Sequence, residues 1–295
     1  MSIRYTRGEN IFNVFNIILL CSFTLICLYP LIYVLFASFS EPSRMFAHRG
    51  ALIRPLGLSL ESYKAVFRNP NILVGYRNTL FIIAVGVSLN MVLTIMGGYV
   101  ISRSYLMFRK LITFLVVFTM YFSGGLIPLF LVVQGLGISN TIWSLIFPVA
   151  INTFNMIIMR TAFMAIPDEM EESAIIDGAS QLRVLVSIMV QLVVPTLAVL
   201  VLYYAVQHWN AFFNAQVFLR NRALFPLQLI LRGILIEGTT SDMTGGGASS
   251  TDDVVLLAET VKYAVIVVST APVLCLYPFL QRYFVKGVMI GAVKG

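Results

Sequence analysis

Charged residues are scarce in this chain of 295 residues, at 11% of the total, and this shortage excludes an ordinary soluble domain. A soluble globular domain carries about 25% charged residues. Hydrophobic residues instead make up 59% of the chain, and its mean hydropathy is +0.89. The composition therefore predicts an integral membrane protein that is in contact with the lipid bilayer.

Residues that carry catalysis or bind metals are also few. The two histidines, His48 and His208, lie far apart in sequence, and Cys21, Cys27 and Cys275 have no metal-ligand spacing. The chain has no glycine-rich loop of the kind that cradles ATP phosphates. Its apolar runs contain neither a carboxylate pair nor a nucleophile with a base. We therefore predict a chain that is not an enzyme, holds no metal or cofactor of its own and binds no nucleic acid.

Long apolar runs are abundant, and each is compared with the roughly 20 residues that cross a bilayer as a helix. Polar and charged breaks between them predict an all-α polytopic membrane protein with six transmembrane helices in one domain, 1–295. The predicted spans are 12–39, 78–101, 111–133, 141–163, 184–208 and 263–283, with kinks at Pro30 and Pro195. A cleaved signal peptide is the alternative for the first run, but that run is about twice as long as a signal-peptide core.

Lysine and arginine in the short connections predict the orientation of the chain. They occur before the first span, between the second and third, and after the sixth, at Arg4, Arg7, Arg103, Arg109, Lys110, Arg282, Lys286 and Lys294. Both termini and the connection at 164–183 are therefore predicted to be cytoplasmic. Two long segments, 40–77 and 209–262, are predicted to face outward, and the stretch "TGGGASSTDD" in the second is predicted to be flexible.

The first outer segment is basic, with six Arg or Lys and two Glu for a net charge of +4. A basic outer face concentrates anions, so this segment predicts an anionic cargo such as a uronate-containing oligosaccharide. Contact with an acidic binding protein or with anionic lipid is the alternative.

The cytoplasmic connection at 164–183 concentrates acids in the stretch "EESAIIDGAS", residues 171–180. Acids in a first helical turn are favoured by the helix dipole. Gly178 permits a left-handed turn after the helix, and Ser180 can cap the next one. The pattern predicts a short, rigid surface helix that docks on another protein through Glu172 or Asp177. A solvated loop with capping acids is the alternative.

This stretch resembles the signature of permease subunits in bacterial ABC importers, which reads roughly E-A-A-x-x-D-G-A with a later proline. The matching residues are Glu172, Ser173, Ala174, Asp177, Gly178, Ala179 and Pro195, and the chain departs from the family pattern at Ser173, Leu185 and Gln191. The likeness covers about residues 10–295. The tail "KGVMIGAVKG" and the placement of the cytoplasmic loop resemble the carbohydrate-uptake branch, of maltose and oligosaccharide type, within a subgroup that serves polysaccharide fragments.

The resemblance implies a type I ABC importer permease fold in the bacterial inner membrane. It implies a second homologous permease, two subunits that bind ATP and Mg, and an extracytoplasmic solute-binding protein that delivers an oligosaccharide. The resemblance implies that the residues in contact with the ATPase subunits are Glu171, Glu172, Ser173, Ala174, Asp177, Gly178 and Ala179. A permease for a non-sugar solute and a secondary transporter are the alternatives. A secondary transporter would need a charged residue inside a span for ion coupling, and the predicted spans have charged residues at their edges alone.

Polar residues inside or beside the spans are candidates for the substrate path, because such residues are costly in a bilayer. The candidates are Asn152, Asn155, Gln207, Trp209, Asn210 and Asn214, with Asn90 and Thr94 as further polar residues. Spacings of three and four predict that Asn152 and Asn155 share one helix face, and that Gln207, Asn210 and Asn214 share another. Amides and an aromatic ring suit sugar hydroxyls and ring faces. Hydrogen bonding between helices is the alternative role.

Overall fold

The computed structural model describes residues 7–237, 257 and 259–275, and every regular element within them is helical. The described residues of Met1–Asn69 and Gly233–Thr270 form one compact unit, and those of Pro70–Arg232 and Ala271–Gly295 form another. The predicted flexible stretch at 244–253, residues 276–283 of the predicted sixth span and the tail at 286–295 lie outside the described residues.

The first unit begins with a single long helix, α1 (Arg7–Ser38), which runs without a break through Pro30. The segment after it is folded, with two short helices, α2 (Pro42–Ala47) and α3 (Glu61–Arg68). Buried Ala37, Met45 and Leu52 form a small apolar cluster in this unit. The unit also contains helical residues within 259–270. The first predicted outer segment therefore has a fixed structure of its own.

The second unit begins with α4 (Pro70–Ser102), a helix of 33 residues that starts eight residues before the predicted second span. The prediction ended the outer segment at Arg77, whereas residues 70–77 form the first turns of this helix. Proline at the first position supports this start, since its missing N–H is not needed there.

The predicted third, fourth and fifth spans are all interrupted. The third consists of α5 (Arg109–Tyr121) and α6 (Leu126–Gly135), bent by 110°, with Gly125 at a φ of +82° just before α6. The fourth consists of α7 (Trp143–Ile146), a 3-10 turn (Phe147–Val149) and α8 (Thr153–Met164), bent by 49°. The third and fourth spans were predicted as unbroken helices, so the structure corrects their shape.

The predicted fifth span begins after the short helix α9 (Glu169–Ile176). It consists of α10 (Gln181–Val184), a π-helical turn (Leu185–Met189), α11 (Val190–Leu192) and α12 (Val194–Trp209), with a bend of 87° at Val193. Pro195 lies in the first turn of α12, which confirms the predicted kink. The helices α13 (Phe213–Phe218) and α14 (Leu227–Glu237) follow.

Two described helices, Gly8–Ser38 and Pro70–Ser102, are long and apolar enough to cross a membrane, and up to five spans result if each bent pair counts as one. Helix α4 is central to the second unit, where it packs against α8 and α12. Small residues allow this close approach: a Cβ on Gly86 would lie 2.6 Å from Nε2 of His208, and one on Gly98 would lie 2.8 Å from Cγ of Met159. Small residues at helix contacts are typical of membrane proteins, where association depends on close packing.

Candidate functional site

Helix α9 ends in a capped turn that the sequence predicts. Gly178 has a φ of +83°, and its N–H donates to the carbonyl of Ile175 at 2.9 Å. The N–H of Ala179 donates to the carbonyl of Ala174, also at 2.9 Å. These two bonds form a Schellman motif, which satisfies the free carbonyls at the helix end. Ser180 Oγ then accepts from the N–H of Arg183 at 3.4 Å, so both the left-handed turn and the N-cap are confirmed.

The seven residues assigned to ATPase contact divide between two faces. Glu172, Ser173, Asp177 and Gly178 are exposed, and Ala179 is half-buried. Ile176, which lies among them, is 85% exposed. Glu171 and Ala174 instead point into the protein, where Ala174 belongs to the apolar cluster around Met159, Phe163 and Tyr204. Helical geometry places Glu171 and Glu172 on different faces, because residues one apart in a helix do not share a face.

Glu171 forms a buried ion pair with Arg103, and each residue is 4% exposed. Arg103 Nη1 lies 2.5 Å from Oε2 of Glu171, and Nη2 donates to the carbonyl of Phe163 at 3.0 Å. The hydroxyl of Tyr99 donates to Oε1 of Glu171 at 2.8 Å, and that of Tyr105 at 3.2 Å. Buried charges are costly unless they are paired and hydrogen-bonded, and both conditions are met here.

No local pattern in the sequence indicates this pair. Arg103 counts there as one of several basic residues of a cytoplasmic turn, and Glu171 as one of several acids in a first helical turn. The two lie 68 positions apart. An aromatic residue one turn before Arg103, Tyr99, is the one local feature that marks the place, and its ring also lies 5.0 Å from the guanidinium carbon.

A second polar cluster surrounds the interruption in the fourth span. Nδ2 of Asn90 donates to the carbonyls of Val149 and Ala150 at 2.7 and 2.8 Å. Its Oδ1 is then the acceptor for Nε2 of His208, 2.7 Å away, so this nitrogen of His208 carries the proton. A backbone carbonyl that leaves a helix inside a bilayer needs a partner. Asn90 supplies it from α4.

Asn152 and Asn155 also belong to this interruption, and the prediction that they share a helix face is wrong. Asn152 precedes α8 as its N-cap, and its side chain accepts from the N–H of Asn155 at 3.1 Å. The N–H of Asn152 in turn donates to the hydroxyl of Tyr204 at 3.3 Å, which lies 2.6 Å from Oγ1 of Thr94. Asn155 is buried. The side chain of Asn152 therefore caps its own helix, and the hydrogen bonds between helices at this point are made by the hydroxyl of Tyr204.

The second predicted face, of Gln207, Asn210 and Asn214, is interrupted as well. Helix α12 ends at Trp209, and Asn210 is its C-cap, with Nδ2 donating to the carbonyl of Val206 at 3.0 Å. Asn214 lies on the next helix, α13, so the spacing of four does not describe one helix face. Gln207 and Asn214 are half-buried, and Asn210 is exposed. Trp209 is buried, and its ring contacts Tyr76 with the centroids 6.2 Å apart.

The predicted basic segment is exposed on the first unit. Arg49, Arg54, Lys64 and Arg68 are exposed there, and Arg44 pairs with Glu41 at 2.7 Å. In the second unit, Arg232 lies over the ring of Phe212 at 4.6 Å and donates to Gln216 at 2.9 Å. Within the described ranges, no three His, Cys, Asp or Glu side chains group as metal ligands would.

No protein-family model matches the chain, but individual known proteins are similar to it over nearly its full length. The chain is 39% identical to Protein LplC of Bacillus subtilis (strain 168) over 290 residues, 98% of this chain and 97% of the relative. It is 41% identical to the polygalacturonan/rhamnogalacturonan transport system permease protein YtcP of the same organism over 278 residues, 94% of this chain and 96% of the relative.

A solved structure also resembles this fold. It is the crystal structure of a bacterial ABC transporter involved in the import of the acidic polysaccharide alginate. One of its chains is 32% identical to this chain, with a TM-score of 0.87, and the match covers 96% of this chain and 100% of that one. Because the identity is 32% over nearly the full length of both chains, the two proteins are similar in sequence as well as in fold.

Proposed function

Because this chain belongs to the permease family of carbohydrate ABC transporters, we propose that it forms half of the translocation path of an ATP-driven oligosaccharide importer. A second homologous permease forms the other half. Six spans cross the bacterial inner membrane, with both termini in the cytoplasm. Two ATPase subunits bind ATP and Mg below the membrane, and a solute-binding protein delivers the oligosaccharide from outside.

The exposed edge of α9 is the observation that carries this proposal. It combines two acids, Glu172 and Asp177, with an apolar side chain, Ile176, that is 85% exposed. An apolar side chain of this size loses contact with water when a partner covers it, which stabilises the complex. The capped turn at Gly178 holds the edge in one conformation, so binding requires little ordering of the helix. The edge suits a groove on one of the two ATPase subunits, with basic groups at the rim of that groove.

The proposed cargo is an acidic, uronate-type oligosaccharide. Support comes from the exposed basic side chains of the first outer segment, among them Arg49, Arg54 and Arg68, which attract anions. Further support comes from relatives whose names refer to polygalacturonan and to alginate transport. Docking of an acidic solute-binding protein on the same segment is the alternative use of this charge.

The proposed substrate contacts are Gln207, Asn210 and Asn214, near the end of α12. Asn210 is exposed and the other two are half-buried. We assign Asn152, Asn155 and Trp209 to the walls of the path, since Asn152 caps α8 and Trp209 packs against Tyr76.

The docking role of α9 is tested with a double substitution, Glu172→Ala with Ile176→Ala, in the full transporter. Both side chains are exposed, so the chain should fold and insert normally. We expect co-purification of the ATPase subunits to fall at least tenfold, about 1.4 kcal/mol of binding free energy. Ile53→Ala, at another exposed isoleucine (81%), is the matched control and should change nothing. Co-purification of the double variant at the wild-type level would contradict the proposal.

A further inference from the structure

The acid that precedes the exposed edge of α9 is not available to a partner protein. Glu171 is 4% exposed, and its carboxylate receives three donors: the guanidinium of Arg103 and the hydroxyls of Tyr99 and Tyr105. Tyr99 belongs to α4 and Arg103 follows the last residue of that helix. The carboxylate therefore joins the cytoplasmic helix to the end of α4.

The contacts around this pair restrict movement of α9 along α4. Hydrogen bonds weaken steeply when their angles change, and charge-assisted ones are the strongest of them. Arg103 is itself fixed from two further sides, by the carbonyl of Phe163 at the end of α8 and by Oγ of Ser102. Apolar packing around Ala174 alone would permit sliding, whereas this set of directional contacts fixes one position.

Helix α4 extends from this junction to the interruption in the fourth span. Asn90 lies on α4 thirteen residues before Arg103, about 20 Å along a helix that rises 1.5 Å per residue. There it holds the carbonyls of Val149 and Ala150 and contacts His208 of α12. One unbroken helix thus has a polar junction with α9 at its end and a second polar junction with the broken spans further along.

We propose that Glu171 is a positioning residue which locks α9 to α4, so that a displacement of α9 moves α4 and the interruption at Val149–Ala150 with it. The inference rests on the proposed function, because the displacement comes from ATPase subunits bound to the exposed edge. It separates the roles of two adjacent acids. Glu172 contacts the partner, and Glu171 transmits the movement inside the permease.

The test measures one distance inside the permease of the fully assembled transporter in lipid. Cys21, Cys27 and Cys275 are replaced by alanine, and spin labels are attached through Met170→Cys on α9 and Val92→Cys on α4, both exposed positions that lie outside the proposed docking edge. With Glu171 present, we expect one distance that is unchanged by ATP. With Glu171→Gln, we expect a second distance population to appear with ATP, at least a fivefold fall in solute transported per ATP hydrolysed, and unchanged co-purification of the ATPase subunits.

Two further variants separate transmission from stability. Glu169→Gln, at an exposed acid on the same helix, is the matched control and should behave as wild type. Tyr99→Phe keeps both charges and removes one donor to Glu171, and we expect about a twofold loss of coupling with normal assembly. If Glu171→Gln fails to assemble, the coupling measured in Tyr99→Phe tests the inference in its place.

The outcomes are distinct. The inference would be overturned if Glu171→Gln showed a single ATP-independent distance together with normal coupling. If Glu171→Gln does not assemble, fully normal coupling in Tyr99→Phe would overturn it instead. A wild-type transporter that neither binds the ATPase subunits nor transports with ATP would instead refute the proposed function.

Discussion

At the scale of single residues, the polar side chains within the spans mainly satisfy backbone and side-chain groups of neighbouring helices. Asn90, Asn152 and Tyr204 each have hydrogen-bond partners around the interruption in the fourth span. A polar side chain in a bilayer that lacks such partners is costly. The position of a polar residue in a span therefore does not by itself identify a substrate contact.

Asn90→Leu tests this structural role. Leucine has a similar size but leaves the carbonyls of Val149 and Ala150 and the ring of His208 without their partner. We expect the free energy of unfolding to fall by about 1–3 kcal/mol, the range for stranded buried polar groups. Denaturation of the purified permease in mixed micelles measures it.

Ser88→Ala is the control for this substitution. Ser88 is exposed on the same helix and bonds to the carbonyl of Ala84 in its own helix, so its loss should leave stability nearly unchanged. An equal effect of the two substitutions would show that Asn90 has no special role at the interruption.

At the scale of elements, the end of α9 determines how this helix meets the predicted fifth span. The turn at Gly178 requires a positive φ, and the Cβ of a substituted residue would have no atom within 4 Å. The cost of a substitution there is therefore backbone strain and not a clash. A left-handed conformation costs an L-residue about 1–2 kcal/mol.

Gly178→Val should shift this turn and separate ATP hydrolysis from uptake while the chain still inserts in the membrane. Uptake and ATP hydrolysis are measured together in proteoliposomes, and we expect the solute transported per ATP to fall several-fold. Gly178→Asn is the control, because asparagine tolerates the left-handed conformation better, and it should retain most of the coupling. Normal coupling in the valine variant would count against a rigid turn.

At the scale of the whole molecule, charge is distributed unevenly along the chain. The first segment predicted to face outward carries a net charge of +4, whereas the exposed edge of α9 has two acids. Charge of one sign on a surface raises the local concentration of ions of the opposite sign, and salt screens this effect.

We expect the assembled importer to prefer acidic cargo. Oligogalacturonides and their fully methyl-esterified forms of equal chain length differ in charge and little else, so they form a matched pair for uptake by reconstituted vesicles. Uptake of the acidic form should be faster, and the difference should shrink as salt rises. Equal uptake of the two forms at low salt would show that the basic segment serves another ligand.

The sequence by itself determined the features that depend on near neighbours. Composition and apolar runs identified a membrane protein, and the stretch 171–180 identified its family. The left-handed turn at Gly178, the cap at Ser180 and the bend before Pro195 followed from local backbone rules, and the structure confirms all three.

Only the tertiary structure decided which way the polar residues face and where the third and fourth predicted spans break. Arg103 pairs with Glu171 across 68 positions, and Asn90 reaches carbonyls 59 and 60 positions away. An interruption in a span is stable only where another helix supplies the missing hydrogen bonds. That donor is distant in sequence, so no local pattern around residues 149–152 or 171 could reveal it.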